Sequence, residues 1–203
     1  MKVRTHFHLA KLSLKNLKSP YPEKFSSNMF YLGTILADCS WLAYTNPHFY
    51  KKSFKYVEKK LDSLLKKEEF NWYNSLQFGI VIHYLCDFCC YSHITDRIGN
   101  VNDHMVYERK IQRYLLDNLT NIKTYRKRKN RKKFKDLKMI INNQILKYRN
   151  GKPSFRWDIE NCLEMSTDVC ETVFYIFKRK KECSMIIWKK QFQINFETTI
   201  YLI

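Results

Sequence analysis

The stretch WYNSLQFGIVIHYLCDFCCY, residues 72–91, is apolar on nearly every side when its residues are placed on a helix. A helix with this pattern is expected to be buried rather than to lie on the surface. Buried helices of this kind fill a core or hold a site. We therefore take residues 72–91 as the predicted centre of the fold and place the rest of the chain around it.

Amphipathic patterns on either side predict further helices. The clearest is Phe49–Lys67, which has apolar residues on one face and lysines on the other. Only 4 Gly and 4 Pro occur in 203 residues, too few for the turns that many short strands need. We expect an all-α, multi-helix single domain over residues 1–180. Its remaining predicted helices are 7–17, 29–42, 101–116, one ending near 148, and 155–178 with Ser154 as its cap.

The last residues, 181–203, are treated as a tail of uncertain structure. They include FQINFETTIYLI, which alternates like a strand but has no evident partner strand. No run of 18 apolar residues and no signal-peptide pattern occurs in the sequence. These features predict a cytoplasmic protein. Three of the seven cysteines, Cys86, Cys89 and Cys90, lie together in the apolar stretch and are expected to be reduced core residues.

The chain is strongly basic, with 37 Lys and Arg against 19 Asp and Glu and a net charge of +18. Half of this excess lies in KTYRKRKNRKKFKDLK, residues 123–138, which carries ten Lys or Arg and one Asp. Such a segment favours contact with a polyanion, either an anionic membrane surface or nucleic acid. The abundance of Lys, Asn, Ile and Tyr is also what an AT-rich genome would produce. Charge alone therefore identifies no partner.

Two histidines are followed four residues later by a carboxylate, in the pairs His83–Asp87 and His104–Glu108. At roughly 100° per residue, positions i and i+4 of a helix point within about 40° of each other. Each pair can therefore offer an imidazole and a carboxylate to one metal ion. His93 follows His83 by ten residues, about 80° round the same helix if it continues that far, so it should face a second ion.

Asp38 lies in the apolar run LGTILADCSW, where an unpaired carboxylate would be costly to bury. His48 follows ten residues later, after the Asn46-Pro47 turn. Zinc binding would explain both residues. Taken singly, each histidine is more simply a satisfied core or surface imidazole, but together they favour a site for at least two metal ions.

These residues resemble the ligand pattern of the zinc-dependent phospholipase C family, whose fold is shared with fungal single-strand nucleases. The order of the pieces and their spacings are those of the family over residues 1 to about 110. The matching pieces are Thr5-His6 with Leu9, FYLGTILAD ending in Asp38, His48, HYLCDFCCYSH from His83 to His93, and HMVYE from His104 to Glu108.

The resemblance implies three zinc sites. The first would use Asp38, His48, His83 and Asp87. The second would use His93, His104 and Glu108. The third would use His6, the amine of Met1 and the other oxygen of Asp87, so that Asp87 bridges two ions. Secreted members of the family begin with a Trp at this place. An alternative leaves the third site empty or filled by water, because a terminal amine must lose its proton before it can bind zinc.

The resemblance also implies an activity. It is zinc-dependent hydrolysis of a phosphodiester, phospholipase C-like cleavage of a phospholipid headgroup by zinc-activated water, with Asp38 as the catalytic residue that orients or deprotonates the water. The alternatives are a single-strand nuclease-like phosphodiesterase and a non-catalytic, zinc-stabilised protein that binds anionic membrane or RNA. Imidazole and carboxylate ligands favour catalysis, because closed structural zinc sites are usually rich in thiolates.

Overall fold

The computed structural model describes residues 1–39, 45–94, 100–122 and 137–200, with side chains described as far as residue 186. Most of the basic segment, residues 123–136, lies outside these ranges, so its predicted loop and helix start are not described. Seven α-helices and one 3₁₀ turn are found within the ranges, and no strand. They are α1 Val3–Lys15, α2 Ser27–Cys39, α3 Tyr50–Leu65, α4 Trp72–Asp87, the 3₁₀ turn Tyr91–His93, α5 Val101–Asp117, α6 Leu137–Asn150 and α7 Phe155–Ile200.

The prediction of an all-α fold with 72–91 at its centre is confirmed. From Phe78 to Asp87, every residue of α4 is buried, and α4 packs against α2, α3 and α7. The apolar side chains of α4 belong to one core that also includes residues of α1, α5 and α6. The site residues on α4 therefore sit in the most rigidly packed part of the molecule.

Helices α2 and α4 cross at two glycines, Gly33 and Gly79. A Cβ atom on Gly33 would lie 2.1 Å from the carbonyl oxygen of Leu76, and one on Gly79 would lie 2.1 Å from that of Phe30. Only glycine allows two helix backbones to approach this closely. The crossing fixes the end of α2, with Asp38, against the end of α4, with Asp87.

The central helix ends at Asp87, earlier than the sequence pattern predicts. Cys90 adopts an extended conformation, and the chain then makes the separate 3₁₀ turn that carries His93. The thiol of Cys162 lies 3.1 Å from the carbonyl oxygen of Cys86 and 3.4 Å from that of Cys89. The thiol therefore donates to carbonyl oxygens that would accept from backbone N–H groups if the helix continued. The expectation that His93 lies 80° round the same helix is wrong.

The terminal helices are longer than predicted. Helix α1 begins at Val3 rather than at residue 7, because the backbone N–H groups of Thr5 and His6 donate to the carbonyl of Lys2. Helix α7 begins as predicted, with the Ser154 hydroxyl accepting from the N–H of Trp157, and continues to Ile200. Among the described helices, none combines the length and the apolar character needed to cross a membrane.

Candidate metal centre

Asp87 lies at the centre of the predicted ligands. Its side chain is fully buried at the last turn of α4. Oδ2 lies 3.1 Å from Nε2 of His83 and 3.1 Å from Nδ1 of His48. Oδ1 lies 3.2 Å from Nε2 of His6 and 3.3 Å from Nε2 of His93. The two oxygens of one carboxylate therefore face two different sets of histidines.

The first group consists of Asp38, His48, His83 and Oδ2 of Asp87. The nearest nitrogens of His48 and His83 are 3.2 Å apart, and each lies 3.5 Å from Oδ1 of Asp38. Four ligands placed tetrahedrally at about 2.0 Å from zinc are separated from one another by about 3.3 Å. The separations of these ligand atoms fit the edges of such a tetrahedron.

His83 is oriented by a backbone contact that the sequence does not reveal. Its Nδ1 lies 2.9 Å from the carbonyl oxygen of Thr34 on α2, which can only accept a hydrogen bond. Nδ1 therefore carries a proton, and the neutral ring has its lone pair on Nε2, the atom that faces Asp38 and Asp87. A backbone carbonyl that fixes the tautomer of a histidine in this way is a frequent partner of metal ligands.

The second group consists of His93, His104 and Glu108. Oε1 of Glu108 lies 2.8 Å from Nε2 of His104 and 3.3 Å from Nε2 of His93. His93 comes from the 3₁₀ turn, and the other two come from successive turns of α5. The ligand atoms of this group lie within 4.8 Å of one another, close enough to hold one metal ion.

The amine of Met1 lies between the second group and Asp87. It is buried, 2.8 Å from Oδ1 of Asp87, 2.8 Å from Nε2 of His93 and 3.1 Å from Oε1 of Glu108. Burial acts to lower the pKa of this amine, but the two carboxylates outweigh it and raise the pKa to about 12. A positive charge is therefore strongly favoured at this point.

His6 completes the centre from α1. Its ring stacks on that of His83 with centroids 3.7 Å apart, and both of its ring nitrogens are buried without a hydrogen-bond partner. His6, His83 and Asp87 form a third group that could hold a metal ion. His8, two residues further along α1, is not fully buried and has an edge contact with the ring of Phe7. It lies outside the three groups.

The electrostatics of the centre suit a bound cation. Burial lowers the pKa of His6 to about 3 and that of His93 to about 4, so both rings are neutral at pH 7. Burial alone would raise the pKa of Asp87, yet it is held well below its usual value, and the positively charged amine of Met1, 2.8 Å from Oδ1, acts in this direction. Further buried polar atoms without a hydrogen-bond partner surround these groups: Oδ2 of Asp38, Nε2 of His48 and Nδ1 of His93. Neutral imidazoles, carboxylates and unpaired buried atoms fit zinc.

A cavity of about 500 Å³ opens above the centre. Residues of both groups line it, Asp38 and His48 from the first and all three of the second, and Pro47 and Phe49 contribute apolar side chains. The ring of Phe49 lies 5.9 Å from that of His93. The centre is thus reachable from outside, unlike a closed structural zinc site.

Comparison with known families agrees with this geometry. The model of the zinc dependent phospholipase C family matches residues 5–155, about three-quarters of the chain. The chain belongs to this family. No match was found among curated proteins or among solved structures. The family is all-α, and membership indicates a zinc-dependent hydrolase of the phosphodiesterase type, with phospholipid as the substrate class.

The structure gathers the predicted ligand side chains into neighbouring groups, but two features of the centre were not predicted. The Met1 amine was expected beside Asp87, but its proximity to His93 and Glu108 was not foreseen. Neither was the carbonyl of Thr34, because a backbone group leaves no signal in a sequence pattern.

Proposed function

We propose that this member of the zinc-dependent phospholipase C family binds two or three zinc ions and cleaves the headgroup phosphodiester of a phospholipid. The observation that carries the proposal is Asp87, a buried carboxylate whose two oxygens face separate groups of ligand atoms, each group with members that line an open cavity. In the reaction, water adds to phosphorus and the bond from phosphorus to the glycerol oxygen breaks. The products are a diacylglycerol and a phosphorylated headgroup.

The residues around Asp87 would have two roles, as zinc ligands and as the general base. Asp38, His48, His83 and Asp87 would hold one ion, and His93, His104 and Glu108 would hold another. Bound zinc lowers the pKa of water, neutralises phosphoryl oxygens and stabilises a departing alkoxide. Asp38 would also accept the proton of the attacking water, because its Oδ2 has no hydrogen-bond partner and its residue lines the cavity.

The role of Asp38 can be tested with Asp38→Asn. The amide keeps the size of the side chain but cannot accept the proton, so we expect kcat to fall by about 10²- to 10⁴-fold, as is usual for loss of a general base. The KM for the phosphodiester should change much less. Asp103→Asn, which alters an exposed carboxylate beside His104 on α5, is the control and should leave kcat within about twofold. Equal kcat values for the two variants would exclude Asp38 as the base.

The substrate class is tested on a panel of phosphatidylcholine vesicles, single-stranded DNA and RNA, with product identification. Diacylglycerol and phosphocholine released in a zinc-dependent reaction support the proposal. The apolar walls at Pro47 and Phe49 favour the lipid. Cleavage of nucleic acid alone would support the nuclease-like alternative, which the basic segment 123–138 allows. Zinc binding without any turnover would support a non-catalytic protein.

A third zinc ion would require the Met1 amine, His6 and Oδ1 of Asp87. The amine nitrogen and Nε2 of His6 both lie within 3.2 Å of that oxygen. Adding a few residues before Met1 converts the amine into an amide and removes it as a ligand. We expect the extended protein to bind one zinc ion fewer and to cleave the phosphodiester more slowly, with helix content unchanged. Elemental analysis and circular dichroism of the two forms check this. Identical zinc content and rate would remove Met1 from the mechanism.

The basic segment, residues 123–138, is proposed to attract an anionic membrane surface. Replacing four of its ten Lys and Arg residues with Gln should weaken liposome binding steeply at low salt, since each is worth roughly 1 kcal/mol near such a surface. The matched control replaces four exposed lysines of α3 and its end, Lys55, Lys59, Lys66 and Lys67, for the same change of charge. Turnover of a small soluble phosphodiester should stay unchanged in both variants. A parallel loss of soluble activity would place the segment in the active site instead.

A further inference from the structure

A buried carboxylate outside the three groups contacts the elements that carry the second group of ligands. Asp158 is in the first turn of α7 and is fully buried. It lies three residues beyond the last residue that the family model matches. Its hydrogen-bond partners in the described part of the chain are neutral donors, so it is not half of a buried ion pair. Burial raises the pKa of Asp158, and a polar group buried in this way is costly unless its hydrogen bonds are kept.

The backbone and hydroxyl partners of Asp158 come from three different elements, and the thiol of Cys90, next to Tyr91, is a further partner. Its Oδ2 accepts from the backbone N–H of Tyr91 at 3.0 Å and from the hydroxyl of Tyr107 at 2.8 Å. Its Oδ1 accepts from the hydroxyl of Tyr148 at 2.8 Å. One side chain therefore joins the 3₁₀ turn, α5 and α6 to the start of α7.

Two of these partners belong to the elements that present zinc ligands. Tyr91 is the first residue of the 3₁₀ turn, where a backbone N–H has no acceptor within its own turn, and His93 is the last residue of that turn. Tyr107 directly precedes Glu108 on α5. The rings of Tyr91 and Tyr107 are also packed together, with centroids 5.3 Å apart.

We propose that Asp158 is a positioning residue for the second zinc site: through Tyr91 and Tyr107 it sets the distance between His93 and Glu108. This inference rests on the proposed function, because it assumes that His93 and Glu108 bind zinc. The turn with His93 is not an extension of α4, so helix geometry alone does not fix its orientation relative to α5. Oδ2 of Asp158 supplies this connection by accepting from both elements at once.

The chain offers a matched pair of variants to test the proposal. Tyr107→Phe and Tyr148→Phe each remove one hydroxyl from the same carboxylate at the same distance, 2.8 Å. A purely structural role of Asp158 predicts similar effects of both variants on zinc binding. A positioning role predicts an effect of Tyr107→Phe only, because α6, which carries Tyr148, contributes no ligand to the centre.

The readout is zinc affinity, measured by titrating metal-free protein with zinc against a chromophoric chelator. We expect Tyr107→Phe to weaken one zinc site about tenfold, within the range for residues that orient metal ligands, and Tyr148→Phe to leave all sites unchanged. Asp158→Ala should weaken the same site at least as much. If Asp158→Ala does not fold, the tyrosine pair still decides the question.

A double-mutant cycle assigns the weakened site. The effect of Tyr107→Phe should disappear when Glu108→Gln has already disabled the second group, and should persist in the His48→Ala background. Equal affinities in the two tyrosine variants, or an undiminished effect of Tyr107→Phe in the Glu108→Gln background, would overturn the role of Asp158 alone. A wild-type chain that binds no zinc would overturn the proposed function together with this inference.

Discussion

Replacing Asp87 with Asn is expected to cost more zinc and more zinc-dependent stability than replacing His48 with Ala. His48 faces only the first group of ligands, whereas Asp87 offers Oδ2 to the first group and Oδ1 to His6 and His93. An Asn side chain keeps the shape but presents one oxygen and one NH₂ group, so it cannot serve two ions. His48→Ala should therefore disturb one ion, and Asp87→Asn two.

The expected difference between the two variants can be given as a free energy of unfolding. An ion present at 100 times its dissociation constant stabilises the folded state by about 2.7 kcal/mol. Asp87→Asn should lose roughly twice the zinc-linked stabilisation that His48→Ala loses. The measurement is unfolding with and without excess zinc for each variant, and taking the difference removes any effect of the substitution on the metal-free fold. Equal zinc-linked losses in the two variants would argue against a bridging carboxylate.

Replacing Gly79 with Ala is expected to destabilise the fold by about 3 kcal/mol or more. In most helices this change is favourable by roughly 0.5–1 kcal/mol. Here the added Cβ atom would lie 2.1 Å from the Phe30 carbonyl oxygen and 3.0 Å from the Cα of Gly33, both backbone atoms that cannot turn aside. Helices α2 and α4 would have to separate. We therefore expect a loss of stability at the upper end of the range usual for overpacked cores.

The same substitution should also weaken zinc binding, because Asp38 would move with α2 away from Asp87. Gly151→Ala provides a comparison, since the three atoms nearest to the added Cβ there belong to the side chain of Trp157 rather than to another helix backbone. We expect a smaller loss of stability for Gly151→Ala and no change in zinc affinity. Chemical denaturation and zinc titration of both variants check this. A Gly79→Ala protein as stable as the wild type would show that the helix crossing is looser than described.

Local patterns were enough to predict most of the fold and several of the side chains that gather around Asp87. The i, i+4 pair of His83 and Asp87 depends only on helix geometry, and the structure places both on one face of α4 toward the same centre. The all-apolar character of α4 predicted its burial. These features follow from neighbouring residues, so the sequence alone could indicate them.

Features that depend on distant residues could not be predicted. The position of His93 depends on the end of α4, where Cys162 and Asp158 supply contacts from more than 60 residues away. The continuation of α7 to Ile200 was missed because its last residues alternate in a way typical of a strand. Asp158 carries no motif of its own, and its three contacts come from elements that only the folded chain brings together.

Zinc content and zinc-dependent activity, measured on one preparation, decide whether the groups around Asp87 bind zinc for catalysis. The wild-type protein is purified without chelators, its zinc content is determined by elemental analysis, and hydrolysis of phosphatidylcholine is followed as zinc is removed and restored. We predict two or three zinc ions per chain, loss of hydrolysis when they are removed and recovery when zinc is returned. Less than one zinc ion per chain, with no stabilisation by added zinc and no zinc-dependent hydrolysis, would contradict it.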